Sequence, residues 1–143
     1  MSGIFGDDPI PAFASSRNVV VLSPENAFLK ILNGPGCGEI ISLSSLKMII
    51  GRNDPPHVSV DIDLSKYEIG KIPMISRRHA ELKWVNEKLE LVDLGSSNGT
   101  FVNGTRLASL KESGTPRPVV LCEGGKITFA NLECEIICQI NHS

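Results

Sequence analysis

The sequence predicts an all-β sandwich, and three observations carry that expectation. Short apolar runs recur along most of the chain, each closed off by Gly, Pro, Asn, Asp or Ser. Several of them alternate with period two, as in "HAELKWV", where Ala80, Leu82 and Trp84 share one face and Glu81 and Lys83 the other. No stretch sustains helical spacing long enough for a convincing helix. Many short strands with turn signals describe two packed sheets.

Taken in order, residues 1–17 are rich in Gly, Pro, Ser and Asp without periodicity and read as a flexible tail, leaving 18–143 as one domain. "SPEN" resembles a helix start, with Ser23 as cap and Pro24 following, but Asn33-Gly34 leaves room for only about two turns. "AFLKIL" is therefore read as a strand. "GPGCG" (34–38) turns the chain into "GEIISL" as a hairpin; it lacks the spacing of a phosphate-binding glycine loop, and no helix follows it. "LKMIIGR" ends on Arg52. "VSVDIDL" (58–64) reads as a strand with Asp61 and Asp63 on its wet face. The stretch from Asn53 to Ser76 is the longest connection, and long loops on β scaffolds commonly carry binding.

The next strand starts near His79. Extending its alternation backwards would bury Ser76 and Arg78, and an unpartnered buried guanidinium is prohibitively costly. "SRR" thus belongs to the feeding loop. "KLELVDL" follows, then "DLGSSNGTFVNG", dense in turn formers. Asn103-Gly104 makes a two-residue hairpin between "TFV" and "TRL", because a type I′ turn requires positive φ at both central residues. "PVVLC", "KITFA" and "LECEIICQI" complete the set.

Composition narrows the function classes. A net charge of −2 with 21% charged residues gives no global basic field, so nucleic acid is not an expected partner and any anion site must be local. No apolar run approaches the roughly 20 residues of a membrane span, and the first residues lack the layout of a secretory signal. Cys37, Cys122, Cys134 and Cys138 show no CxxC spacing. Cys134 and Cys138 share a strand face about 13 Å apart, too far to bridge. Buried free thiols suit a reducing compartment, the nucleus or cytoplasm.

Three loop segments carry the chemistry: "GRN" (51–53), "SRRHA" (76–80) and "DLGSSNGTFVNG" (93–104). In order and spacing they resemble the forkhead-associated (FHA) domain family, whose pattern is GR, then SxxH, then a loop containing NG. The resemblance covers about residues 27 to 140 and implies an FHA-like (SMAD/FHA) β-sandwich of about eleven strands with binding loops at one end. It further implies a monomeric module that binds a phosphothreonine-containing protein, with no cofactor, no metal and no catalytic residue.

Phosphothreonine carries about −1.5 to −2 charges and three acceptor oxygens. By resemblance Arg52, Ser76 and Arg77 bind the phosphate, the arginines through planar forks and Ser76 through its hydroxyl. Asn98 pairs with the ligand backbone through its amide, and Ser97 is a further contact. Gly51 and Gly99 are structural glycines, and His79 fastens the loops. Met74, two residues before Ser76, is expected to favour an aliphatic residue three positions after the phosphothreonine, although Lys66 and Lys71 would draw an acidic one.

Blander and rival readings stand beside these. Arg78 is read as solvent-facing or loop-pairing, Asp93 as a turn residue bonding its own loop, and Trp84 as core. Ser76, His79 and Asp93 supply the residue types of a hydrolase triad, but no GxSxG elbow exists. His57, His79 and His142 are scattered without HExxH. A sheet face could instead bind an unphosphorylated partner. Residues 1–17 hold no threonine to be recognised in cis, whereas Thr115, before Pro116, could serve another copy in trans.

Overall fold

Eleven strands form in the computed structural model, which describes residues 21–109 and 117–139. They are β1 (Ala27–Ile31), β2 (Ile40–Ser42), β3 (Lys47–Gly51), β4 (Ile62–Asp63), β5 (Ala80–Val85), β6 (Lys88–Asp93), β7 (Thr100–Val102), β8 (Thr105–Arg106), β9 (Val119–Leu121), β10 (Lys126–Phe129) and β11 (Leu132–Cys138). One sheet has the order β9-β6-β5-β3-β4, the other β2-β1-β11-β10-β7-β8. Neighbours are antiparallel except β3 and β4, which run parallel. The expected sandwich is the observed one. The proposed tail, Thr115, Ile140 and His142 lie outside the described residues.

Alternation builds the core. Ala27, Leu29 and Ile31 of β1, Ala80, Leu82 and Trp84 of β5, and Leu132, Cys134 and Ile136 of β11 all point inward. Fully burying one Leu or Ile contributes about 1.5–3 kcal/mol, so these faces fix register as well as stability. Trp84 packs as its parity requires and donates its indole N–H to the Leu43 carbonyl, 2.8 Å away. "SPEN" forms a turn rather than a helix: Ser23 O accepts from the Asn26 and Ala27 amides, and Asn26 Oδ1 accepts from the Ser23 amide. The β7–β8 hairpin turns on Asn103 (φ 49°) and Gly104 (φ 86°), as the type I′ reading requires.

Two expectations need correction. The strand read over "VSVDIDL" contracts to Ile62–Asp63, because side chains take over the bonding. Asp61 Oδ2 accepts the Ile49 amide, Asn53 Oδ1 accepts the Val60 amide, and Asp63 Oδ1 accepts the Asn53 and Ser65 amides. Asp61 and Asp63 are exposed as read, yet they brace this loop as well as meeting water. All four cysteines are free, but only Cys134 is buried, where burial pushes its thiol up to about 12. Cys138 is half-buried, and Cys37 and Cys122 are exposed. Among the described residues no helix is long and apolar enough to cross a membrane.

Candidate functional site

The site assembles where β3 ends, β5 begins and the β6–β7 loop crosses above them. Gly51 comes so close to the "SRR" segment that a Cβ there would lie 2.1 Å from the Arg77 carbonyl oxygen. Only glycine fits this approach. The Arg52 amide is then shared between the carbonyls of Ser76 (3.1 Å) and Arg77 (3.2 Å), and its Nε donates to Ile75 O at 3.1 Å. Those bonds anchor one edge of the half-buried guanidinium and leave its terminal nitrogens outside them.

His79 is fully buried and ties three segments together. Its amide donates to Ile50 O, and its carbonyl accepts from the Leu94 amide, both at 3.0 Å. Nδ1 accepts the Ser76 amide hydrogen (3.0 Å), so the ring proton sits on Nε2 and is donated to Gly99 O (2.9 Å). Burial lowers the pKa of this imidazole; the Gly99 carbonyl and the charges of Asp93 and Glu68 oppose that shift without cancelling it. The ring also meets Phe129 edge to face, with centroids 5.8 Å apart.

The β6–β7 loop is framed by Asp93. Its Oδ2 accepts the Gly95 and Ser96 amides, and its Oδ1 accepts the Ser96 and Thr100 hydroxyls, both at 2.6 Å. Burial works against the charged carboxylate, but these four donors together hold its pKa below the ordinary value. Asp93 is thus a turn residue bonding its own loop, as read. The hydrolase geometry does not form: Ser76 reaches His79 through its amide, and both ring nitrogens are engaged elsewhere.

The loop tips meet across this frame. The Ser97 amide donates to Ser76 Oγ (3.0 Å), leaving the hydroxyl hydrogen free to turn outward. Asn98 Nδ2 donates to Met74 O (2.8 Å) and touches Met74 Sδ at 4.0 Å. The Met74 and Ile75 amides in turn donate to the two carboxylate oxygens of Glu68, each at 3.1 Å. Gly99 has φ +90°, a conformation that favours glycine.

Arg52, Ser76, Arg77 and Ser97, four of the expected binding residues, line one open cavity of about 470 Å³. Val58, Arg78, Leu94 and Gly95 complete the lining. Asn98 and Met74 stand beside it, joined to each other, while Gly51, His79 and Gly99 hold the loops that form it. Arg78 is exposed, as read, but faces the same cavity. Its place next to Arg77 was the available signal. Arg77 Nη1 lies 3.2 Å from Asp54 Oδ2, a contact that no local pattern announces across 23 residues.

Comparison with known proteins bears on the family and the fold. The chain is 33% identical over 97 residues to the glycogen accumulation regulator GarA of Mycobacterium tuberculosis, covering 65% of this chain and 54% of that protein. It is 33% identical over 90 residues to an oxoglutarate dehydrogenase inhibitor of Corynebacterium jeikeium, covering 63% and 56%. The chain thus spans about half the length of the curated relatives it matches. An FHA domain of Arabidopsis thaliana superposes with a TM-score of 0.61 at 22% identity, over 91% of this chain and 98% of that one. The N-terminal FHA domain of S. cerevisiae Rad53p, in complex with a phosphothreonine peptide, gives 0.59 at 22%, over 80% and 94%. At such identities the likeness establishes the fold. The FHA domain family model matches residues 48–130, the span that holds the GR, SxxH and NG segments, and the chain belongs to the FHA domain family.

Proposed function

We propose that the chain is a binding module for phosphothreonine-containing proteins, with the phosphate seated between Arg52, Ser76 and Arg77. One observation carries this reading: three arginines and two serines from separate loops line a single cavity on a chain whose net charge is −2. Arginine forks suit phosphate oxygens bidentately, and the Ser76 hydroxyl, already accepting from the Ser97 amide, has its hydrogen to give. Asn98 gives one amide hydrogen to Met74 O and keeps its other N–H and Oδ1 to pair with a ligand backbone. Met74 lies beside it to meet a residue further along the peptide. The Rad53p domain bound to a phosphothreonine peptide supports the ligand class. The regulator and inhibitor among the relatives support a role in binding rather than catalysis.

Isothermal titration with a phosphothreonine peptide and its unphosphorylated counterpart tests the reading. Only the phosphorylated peptide should bind, and Arg52→Ala should weaken it about 10- to 100-fold, the value of a hydrogen bond to a charged group. Equal binding of both peptides would move the function to a sheet face. Unchanged affinity in the Arg52 variant would remove the phosphate from this cavity.

A further inference from the structure

Three guanidinium groups line the cavity, and among the described residues Arg77 alone of these has a carboxylate partner. That partner, Asp54, is held in place by its backbone. The Asp54 amide donates to Val58 O, and its carbonyl accepts the His57 and Val58 amides, closing a turn whose Val58 itself lines the cavity. The backbone turn thus fixes where the Asp54 side chain leaves the chain, beside the cavity. Its carboxylate pairs with the Arg77 guanidinium at 3.2 Å. Set against the three arginines, Asp54 brings the charge of these four side chains to about two, which matches one phosphothreonine at about −1.5 to −2. The Asp93 carboxylate, by contrast, is buried behind the loop on four donors of its own. Without Asp54 the same cavity would suit a more strongly charged anion.

We infer that Asp54 is a specificity-determining residue of this site, a resident counter-ion that opposes the ligand and limits the cavity to one phosphate. This rests on the phosphothreonine reading above. The physical cause is Coulomb repulsion, which scales with the ligand's own charge. Removing the Asp54 charge should thus help a doubly phosphorylated ligand more than a singly phosphorylated one. Asp54→Asn is the clean change, because it keeps the shape and the backbone turn and deletes only the charge. Asp54→Ala removes the acceptor as well.

The experiment titrates wild type, Asp54→Asn and Asp54→Ala with two peptides of one sequence, bearing one or two phosphothreonines, at low and at raised salt. Thermal melts confirm that each variant is folded. The single phosphate should bind about two- to fivefold more tightly to both variants, the range of an exposed ion pair. The double phosphate should gain by a larger factor, and both gains should shrink as salt rises. Wild-type binding with no gain, or a loss, in the folded variants overturns the inference, since Asp54 would then be orienting Arg77 productively. Equal gains for the two peptides overturn the charge limit. Absence of phosphopeptide binding by wild type and variants alike sinks the phosphothreonine reading and this inference with it.

Discussion

The Ser76 amide donates to Nδ1 of His79 at 3.0 Å, so the segment that presents two of the proposed phosphate ligands depends on a neutral imidazole. Protonating Nδ1 would set two hydrogens against each other inside the core. Burial lowers the pKa of His79 from its ordinary 6.5. Above that value folded and unfolded chains are both neutral there, and this contribution to stability is complete. As pH falls below it the unfolded chain takes up a proton that the folded chain refuses, and stability declines until the lower folded value is reached. Melting temperature should therefore fall as pH drops below about 6.5, and His79→Asn should lack that part of the slope. Asp63 and Asp93, held below 3.8, titrate beneath the window. A wild-type slope equal to that of the variant would show that His79 is not the group responsible.

Asp93→Ala should be the more damaging change. It strips the acceptor from four donors, with Ser96 and Thr100 both buried. One buried donor left without a partner costs about 1–3 kcal/mol, so the loss should exceed that of an ordinary surface substitution several-fold. Denaturant unfolding measures it. A change within about 0.5 kcal/mol would mean that the loop is framed by something else.

The cavity should prefer phosphothreonine to phosphoserine. Val58 and Leu94 give it apolar surface on which a methyl group can rest. Burying one such group contributes about 0.8 kcal/mol, or about fourfold in affinity. Titration of matched peptides decides it, and equal affinities would place the methyl in water.

Three positions beyond the phosphothreonine, an isoleucine peptide should bind more tightly than an aspartate peptide. Met74 is half-buried and adaptable, and Ile72 nearby in sequence is 75% exposed. Of the two lysines that could draw an acid, Lys66 already lies 3.7 Å from Glu39 and over the Tyr67 ring. Lys71 remains, with an exposed pair contributing about 0–1 kcal/mol against about 1.5–3 kcal/mol for a buried aliphatic side chain. Stronger binding of the aspartate peptide would assign that position to Lys71.

What the chain disclosed in advance follows physical periodicity. Ala80, Leu82 and Trp84 were readable as core because a strand repeats every two residues, and Asn103-Gly104 because few dipeptides accept its φ values. Arg52, Ser76, Arg77 and Ser97 were readable as one set because three short motifs stood in order. Alternation could not tell that Asp61 would close on the Ile49 amide, since an exposed strand carboxylate and a bracing one share the same pattern. Nor could it place the β5–β6 turn on Asn86 and Glu87, both at positive φ without a glycine. The Asn98–Met74 and Asp54–Arg77 contacts join residues 24 and 23 apart, where only the folded path brings them together.

The strand order has a consequence for how the molecule is made. β11, the last of the described strands, lies between β1 and β10, and Asn33 accepts a hydrogen bond from the Glu133 amide 100 residues later. Until the chain through Cys138 has left the ribosome, the larger sheet exists as two unjoined pieces, β2–β1 and β10–β7–β8, each with an open edge. Such distant pairing is slow to form. Arg52, Ser76, Arg77 and Ser97 are all synthesised well before the strand that joins the two pieces. The nascent chain therefore carries Arg52, Ser76, Arg77 and Ser97 before the larger sheet is joined, and the cavity they line is completed only once β11 is in place.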